Sequence, residues 1–151
     1  EGLLYAGAYI LAGAPKIGKS FLVAQIAHHV STGQDLWGYK VHQGTVLYLA
    51  LEDDESRLQR RMFRMFGVEG TNSLHFATSA KMIGSGLDEQ LEKFVREHRD
   101  TKLVIVDTLQ KVREMVSDNY SYSSDYEVIG KLKQFADRHG ICILIVHHTR
   151  K

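Results

Sequence analysis

The sequence predicts an α/β fold with a mostly parallel central sheet covered by helices on both faces, and three observations lead there. Apolar runs at 8–12, 45–51, 103–106 and 141–146 are continuous where a half-exposed strand would alternate, as strands buried on both faces do. Segments with helical spacing lie between them at 20–32, 55–66, 87–98 and 126–139. Strand and helix therefore alternate along the chain, and parallel strands need crossovers that hide both faces of the sheet.

The first run leads through Gly13 to the helix that starts at Ser20, and the loop before the second strand carries Trp37, Tyr39 and Lys40, to which no role is assigned. The second strand ends in an acidic cluster, Glu52-Asp53-Asp54-Glu55, at the start of the second helix. On that helix Met62, Phe63, Met65 and Phe66 read as core. A shorter run at 74–78 fits an extra strand. The stretch 117–124 is polar and turn-prone and reads as a loop; its Asn119-Tyr120-Ser121 sequon is given no role. Cys142, the single cysteine, falls within the last apolar run and reads as a small buried hydrophobe.

With 151 residues, 44% hydrophobic and 25% charged, the chain suits one soluble globular domain spanning 1–151. A net charge of +1 neither demands nor excludes a nucleic-acid partner. One unpaired cysteine suits a reducing, cytoplasmic setting. No apolar stretch approaches the roughly 20 residues of a membrane span, and the run at 3–14 has no basic flank like that of a signal peptide. The start at Glu1 and the stop just after an apolar run are expected of a piece cut from a longer core.

Gly13-Ala14-Pro15-Lys16-Ile17-Gly18-Lys19-Ser20 fits G-x-x-x-x-G-K-[ST] and stands after a strand and before a helix. Glycines let the backbone turn its N–H groups onto phosphate oxygens, and the helix adds its positive end. Lys19 would reach the β- and γ-phosphates of ATP, Ser20 would place its hydroxyl on Mg²⁺, and Phe21 closes the nucleotide-binding stretch. Pro15 stiffens the loop. The bland reading is a glycine-rich turn without a ligand.

Two carboxylates complete this pattern. Asp107 ends the apolar run 103–106, where a Walker B residue puts an acceptor beside the water shell of Mg²⁺, although a strand-end Asp also serves as a turn cap. Glu52, at the carboxyl end of the second strand, would face the nucleotide and could deprotonate an attacking water. The alternative is that the acidic cluster caps the following helix, the reading kept for Asp53, Asp54 and Glu55.

P-loop, Glu after the second strand, strand-end Asp and a last strand ending in His147-His148 together resemble a RecA-type ATPase core. More narrowly, Gly-Ala-Pro-Lys-Ile-Gly-Lys-Ser, Leu-Ala-Leu-Glu-Asp and Val-His-His-Thr resemble the RepA-like hexameric replicative helicases and related mobile-element ATPases of the AAA type. That resemblance implies Lys19 and Ser20 as Walker A, Glu52 as catalytic base, Asp107 as Walker B and His148 as the sensor of the γ-phosphate. It further implies ATP with Mg²⁺, a hexameric ring, single-stranded DNA as a partner and no membrane. The family's DNA loop, later strands and arginine finger would lie beyond Lys151. From the residues alone, His147-His148 could also be a metal pair or simply surface residues.

Two further features stay open. Arg57, Arg60, Arg61 and Arg64 form a basic face on the second helix, read as a solvated face paired with the preceding acids, or as a surface for nucleic acid or a neighbouring subunit. Tyr120 and Tyr122 could stack on single-stranded bases. Beside the motor stand two other functions: a nucleotide-controlled switch with little turnover, and a P-loop kinase for a small molecule, disfavoured because no arginine-rich lid is evident.

Overall fold

The computed structural model describes residues 5–13, 18–52, 54–67, 73–80, 86–112 and 121–148, with 55 and 121–125 described by their backbone alone. In chain order the elements are β1 (Gly7–Gly13), α1 (Lys19–Thr32), β2 (Thr45–Ala50), α2 (Glu55–Phe66), β3 (Leu74–Ala77), α3 (Leu87–Glu97), β4 (Thr101–Asp107), a 3₁₀ turn (Leu109–Lys111), α4 (Ser121–His139) and β5 (Cys142–His148). The strands form one sheet in the order β1-β5-β4-β2-β3, and every pairing is parallel. The α/β fold with a parallel sheet is thus as the apolar runs predict, and the run at 74–78 is a short strand, β3, at the sheet edge.

Alternation within the continuous runs builds two cores. Val46, Tyr48 and Ala50 of β2, Leu103 and Ile105 of β4 and Leu144 of β5 face one way, onto Val23, Ala24 and Ala27 of α1 and Leu58 of α2. Their neighbours Leu47, Leu49, Val104, Val106 and Ile143 face the other way, onto Leu87 and Leu91 of α3 and Leu132, Phe135 and Ala136 of α4. Fully burying an aliphatic side chain stabilises by about 1.5–3 kcal/mol, so these two layers hold the sheet from both sides. The second layer is also tied at its rim, where Glu92 of α3 accepts from Arg138 (3.1 Å) and pairs with the His139 ring (3.0 Å) on α4.

Two expectations need correction. Helix α4 begins at Ser121, so residues 121–124 belong to a helix and not to the loop expected at 117–124. Serine and aspartate favour turns and caps on their own, and that local preference is overridden here by the helix that packs Val128, Leu132 and Phe135 into the core. Phe63 is not core: its ring is 57% exposed. Met62 and Met65 do pack against the α1 side of the sheet, and Phe66 stacks on His28 at 3.8 Å between ring centres. Helix α2 therefore turns Leu58 inward and presents Phe63 to solvent with Arg57, Arg60 and Arg64, while Arg61 is half-buried.

Candidate nucleotide site at the strand ends

In open parallel sheets ligands lie outside the carboxyl ends of the strands, where successive connections leave to opposite faces. Here β2 runs on into α2, packed on the α1 face, while β4 runs on toward α4 on the other, and these two strands are neighbours. The crevice they open is bordered by Glu52, Asp107 and Thr108. Helix α1 enters it from the side with Gly18 at φ 93° as its N-cap, a left-handed conformation that costs glycine nothing.

Lys19 is 5% exposed and its Nζ donates to the carbonyl of Gly13 at 2.7 Å, clasping the two ends of the loop together. Next to it the Ser20 hydroxyl donates to Oδ2 of Asp107 at 3.2 Å, joining residues 87 positions apart. Phe21, on the first turn of α1, points outward and is 57% exposed. Ala14, Pro15, Lys16 and Ile17 lie outside the described residues.

Asp107 is buried, and a second hydroxyl, that of Tyr48, reaches the same Oδ2 at 3.4 Å. Its pKa is raised: burial disfavours the carboxylate and outweighs the opposing Ser20 hydrogen bond, the nearby His148 and the Tyr48 hydrogen bond, while Glu52 adds like-charge repulsion. Glu52 itself is exposed, in the turn after β2, and its Oε2 accepts from the Thr108 hydroxyl at 2.7 Å. The peptide between Asp107 and Thr108 is cis. At the start of α2 Asp54 is the N-cap, accepting from the backbone N–H of Arg57 at 2.8 Å, so its capping role is as expected; Asp53 and the side chain of Glu55 lie outside the described residues.

His147 and His148 end β5, beside the end of β4. Both are tied to the 3₁₀ turn by Gln110, whose amide nitrogen lies 3.0 Å from Nδ1 of His147 and donates to the carbonyl of His148 at 3.1 Å. Nδ1 of His148 and Oε1 of Gln110 are buried with no hydrogen-bond partner among the described residues. Sequence reading missed three of these groups. Tyr48 looks like any core aromatic in an apolar strand, Thr108 carried a signal only in following Asp107, and Gln110 carried none.

What this arrangement can hold follows from its donors. Ser20 and Asp107 offer hard oxygen atoms side by side, the ligand type Mg²⁺ takes, with water and phosphate oxygens expected to complete its shell. Among the described residues no group of three or more His, Cys, Asp and Glu side chains forms a separate metal centre.

A parallel sheet with a glycine-capped helix, a buried lysine and a serine–aspartate contact at its strand ends defines a RecA-like P-loop fold. The chain belongs to the AAA domain family, whose model matches residues 1–151, and it is accordingly an ATPase-type nucleotide-binding domain. A search of the curated proteins found no match. No helix among the described residues is long and apolar enough to cross a membrane.

Proposed function

We propose that residues 1–151 form the Mg²⁺-dependent, ATP-hydrolysing core of a DNA motor of the RepA-like helicase type, working as a ring of subunits. The observation that carries this reading is the Ser20–Asp107 contact, which brings the end of the phosphate loop and the strand-end carboxylate to one point. The backbone from Gly13 to Phe21 would wrap the phosphates, with Lys19 moving its ammonium from the Gly13 carbonyl onto the β- and γ-oxygens. Ser20 and Asp107 would hold Mg²⁺, which when bound offsets the charge of the transferring phosphoryl group.

Glu52 would take the proton of the water whose oxygen bonds to the γ-phosphorus, as the bond to the bridging oxygen of ADP breaks. Thr108 orients Glu52 through its hydroxyl. His148 would sense the γ-phosphate; its place at the end of β5 and its buried Nδ1, without a hydrogen-bond partner among the described residues, support that role. Gln110 would pass its position to the segment that follows β4. Tyr120 and the side chain of Tyr122 lie outside the described residues, and their stacking on DNA bases belongs to this proposal alone.

The test is Mg²⁺-dependent ATP hydrolysis with and without single-stranded DNA, comparing the natural sequence with Glu52→Gln. DNA-stimulated turnover that disappears in the variant supports motor and base together. Tight ATP binding with background turnover in every sample, and no response to DNA, points to a nucleotide-controlled switch.

A further inference from the structure

The outer face of α2 gathers side chains that the nucleotide site does not use. Arg57, Arg60, Arg61 and Arg64 recur at helical spacing, and with Phe21 and Met65 they line a cavity of about 500 Å³ between α1 and α2. A second, shallower hollow on the same helix holds Phe63 between Arg60 and Arg64. Arg57 pairs with Asp54 at 3.8 Å, both largely exposed, and Arg60 donates to the Ser56 carbonyl at 3.4 Å. Among the described residues neither Arg60 nor Arg64 forms an ion pair with an acid, so the pairing expected with the preceding acids holds for Arg57 and leaves the charges of Arg60 and Arg64 to be accounted for.

Charge and shape here select a ligand. A chain of net charge +1 concentrates four guanidinium groups on one helix, spread over a rise of about 10 Å at 1.5 Å per residue. Phe21 and Phe63 are each 57% exposed and border two hollows that share Arg60 and Arg64, so apolar ring and guanidinium lie side by side there. Arginines offer planar, multi-donor contacts to phosphate, and open aromatic rings among them are platforms for unpaired bases. An acidic protein would satisfy the arginines and leave the two flat rings without a matched partner.

We propose that the Arg60–Phe63–Arg64 face of α2, with Phe21 at its rim, binds single-stranded nucleic acid, phosphates on the guanidinium groups and a base on Phe63. It adds a surface to the DNA-motor reading and rests on that reading only for a partner's presence, since binding here needs no nucleotide. The test uses the chain without ATP and a fluorescent oligo(dT), with oligo(U) beside it to separate DNA from RNA, and reads anisotropy across a salt series.

Arg60→Ala with Arg64→Ala should weaken binding and lower the slope of log affinity against log salt by about 1.4, at roughly 0.7 per lost phosphate contact. Phe63→Ala should weaken binding about fivefold or more and leave that slope unchanged. All three residues are exposed, and unchanged thermal melts confirm that the variants fold. No binding by the natural sequence, or equal affinity in the variants, overturns the proposal. So does poly-glutamate binding that needs the arginines and ignores Phe63, which would assign the face to an acidic protein. Hydrolysis lost in Glu52→Gln tests the motor separately, so either idea can fail alone.

Discussion

Asp107 at the end of β4 and Glu52 just past the end of the adjacent β2 carry the same functional group, yet the fold treats them in opposite ways. Asp107 is 7% exposed and accepts from both Ser20 and Tyr48; Glu52 is exposed and, among the described residues, accepts from Thr108. A carboxylate that helps fix an ion gains from a rigid, desolvated seat, because its position is set before the ligand arrives. A carboxylate that must collect a proton from water and give it up again gains from access. In the proposed reading the pair would separate holding from proton transfer by burial, with no difference in chemistry between the side chains.

Replacing each carboxylate by its amide tests the division, and the largest change should come from Glu52. Glu52→Gln is expected to lower kcat by about 10²–10⁴, the range of a lost general base, while a fluorescent ATP analogue still binds. Equal loss of binding would make Glu52 a holding residue after all. Asp107→Asn is expected to shift the Mg²⁺ concentration for half-maximal activity upward by about 10–100-fold, the usual cost of losing a supporting carboxylate near a metal. A Mg²⁺ titration of steady-state turnover reads this directly.

A smaller effect belongs to the group that aims Glu52. Thr108→Val keeps the shape and removes the hydroxyl that donates to Glu52. Losing a hydrogen bond worth about 1 kcal/mol should reduce kcat about fivefold, with KM for ATP little changed. A fall in KM equal to that in kcat would show that Thr108 acts on the ground state instead.

The smallest change is in stability, and its sign is opposite to that in activity. Burial raises the pKa of Asp107 above its ordinary value, so between the unfolded and folded values the native state binds more protons. Stability from this group is therefore full below the unfolded value and falls as pH rises through the folded one. Asp107→Asn, which cannot ionise, should melt higher than the natural sequence at neutral pH without Mg²⁺, by about 2–4 °C if it recovers 1 kcal/mol. The gap should narrow as pH falls through that window; a gap that is undiminished at pH 4 would mean that Asn repacks the site. Melting curves from pH 4 to 8 separate the cases.

Most of the sheet was readable in advance because strands buried on both faces must be apolar throughout, and 45–51, 103–106 and 141–146 are. The phosphate loop was readable for a different reason: its backbone needs glycine at Gly18, which adopts φ 93°. Groups that act through tertiary placement were not readable. Tyr48 in β2 and Thr108 just past β4 differ from ordinary residues at such places only in which carboxylate their hydroxyls meet, and that depends on the register of β2 against β4. Phe63 was misplaced because an aromatic beside two methionines fits an inward stripe, whereas α2 spends its inward positions on Leu58, Met62 and Met65.

Cys142 carries a practical consequence. It is the chain's single thiol, it is buried in β5, and burial pushes its pKa up to about 12, so at neutral pH almost none of it is the reactive thiolate. For maleimide chemistry on the folded protein the natural chain is close to a blank. One cysteine introduced at an exposed position would take a dye selectively, with no need to remove the native one, and nucleotide binding at the strand-end crevice could be followed by fluorescence in an otherwise unaltered molecule.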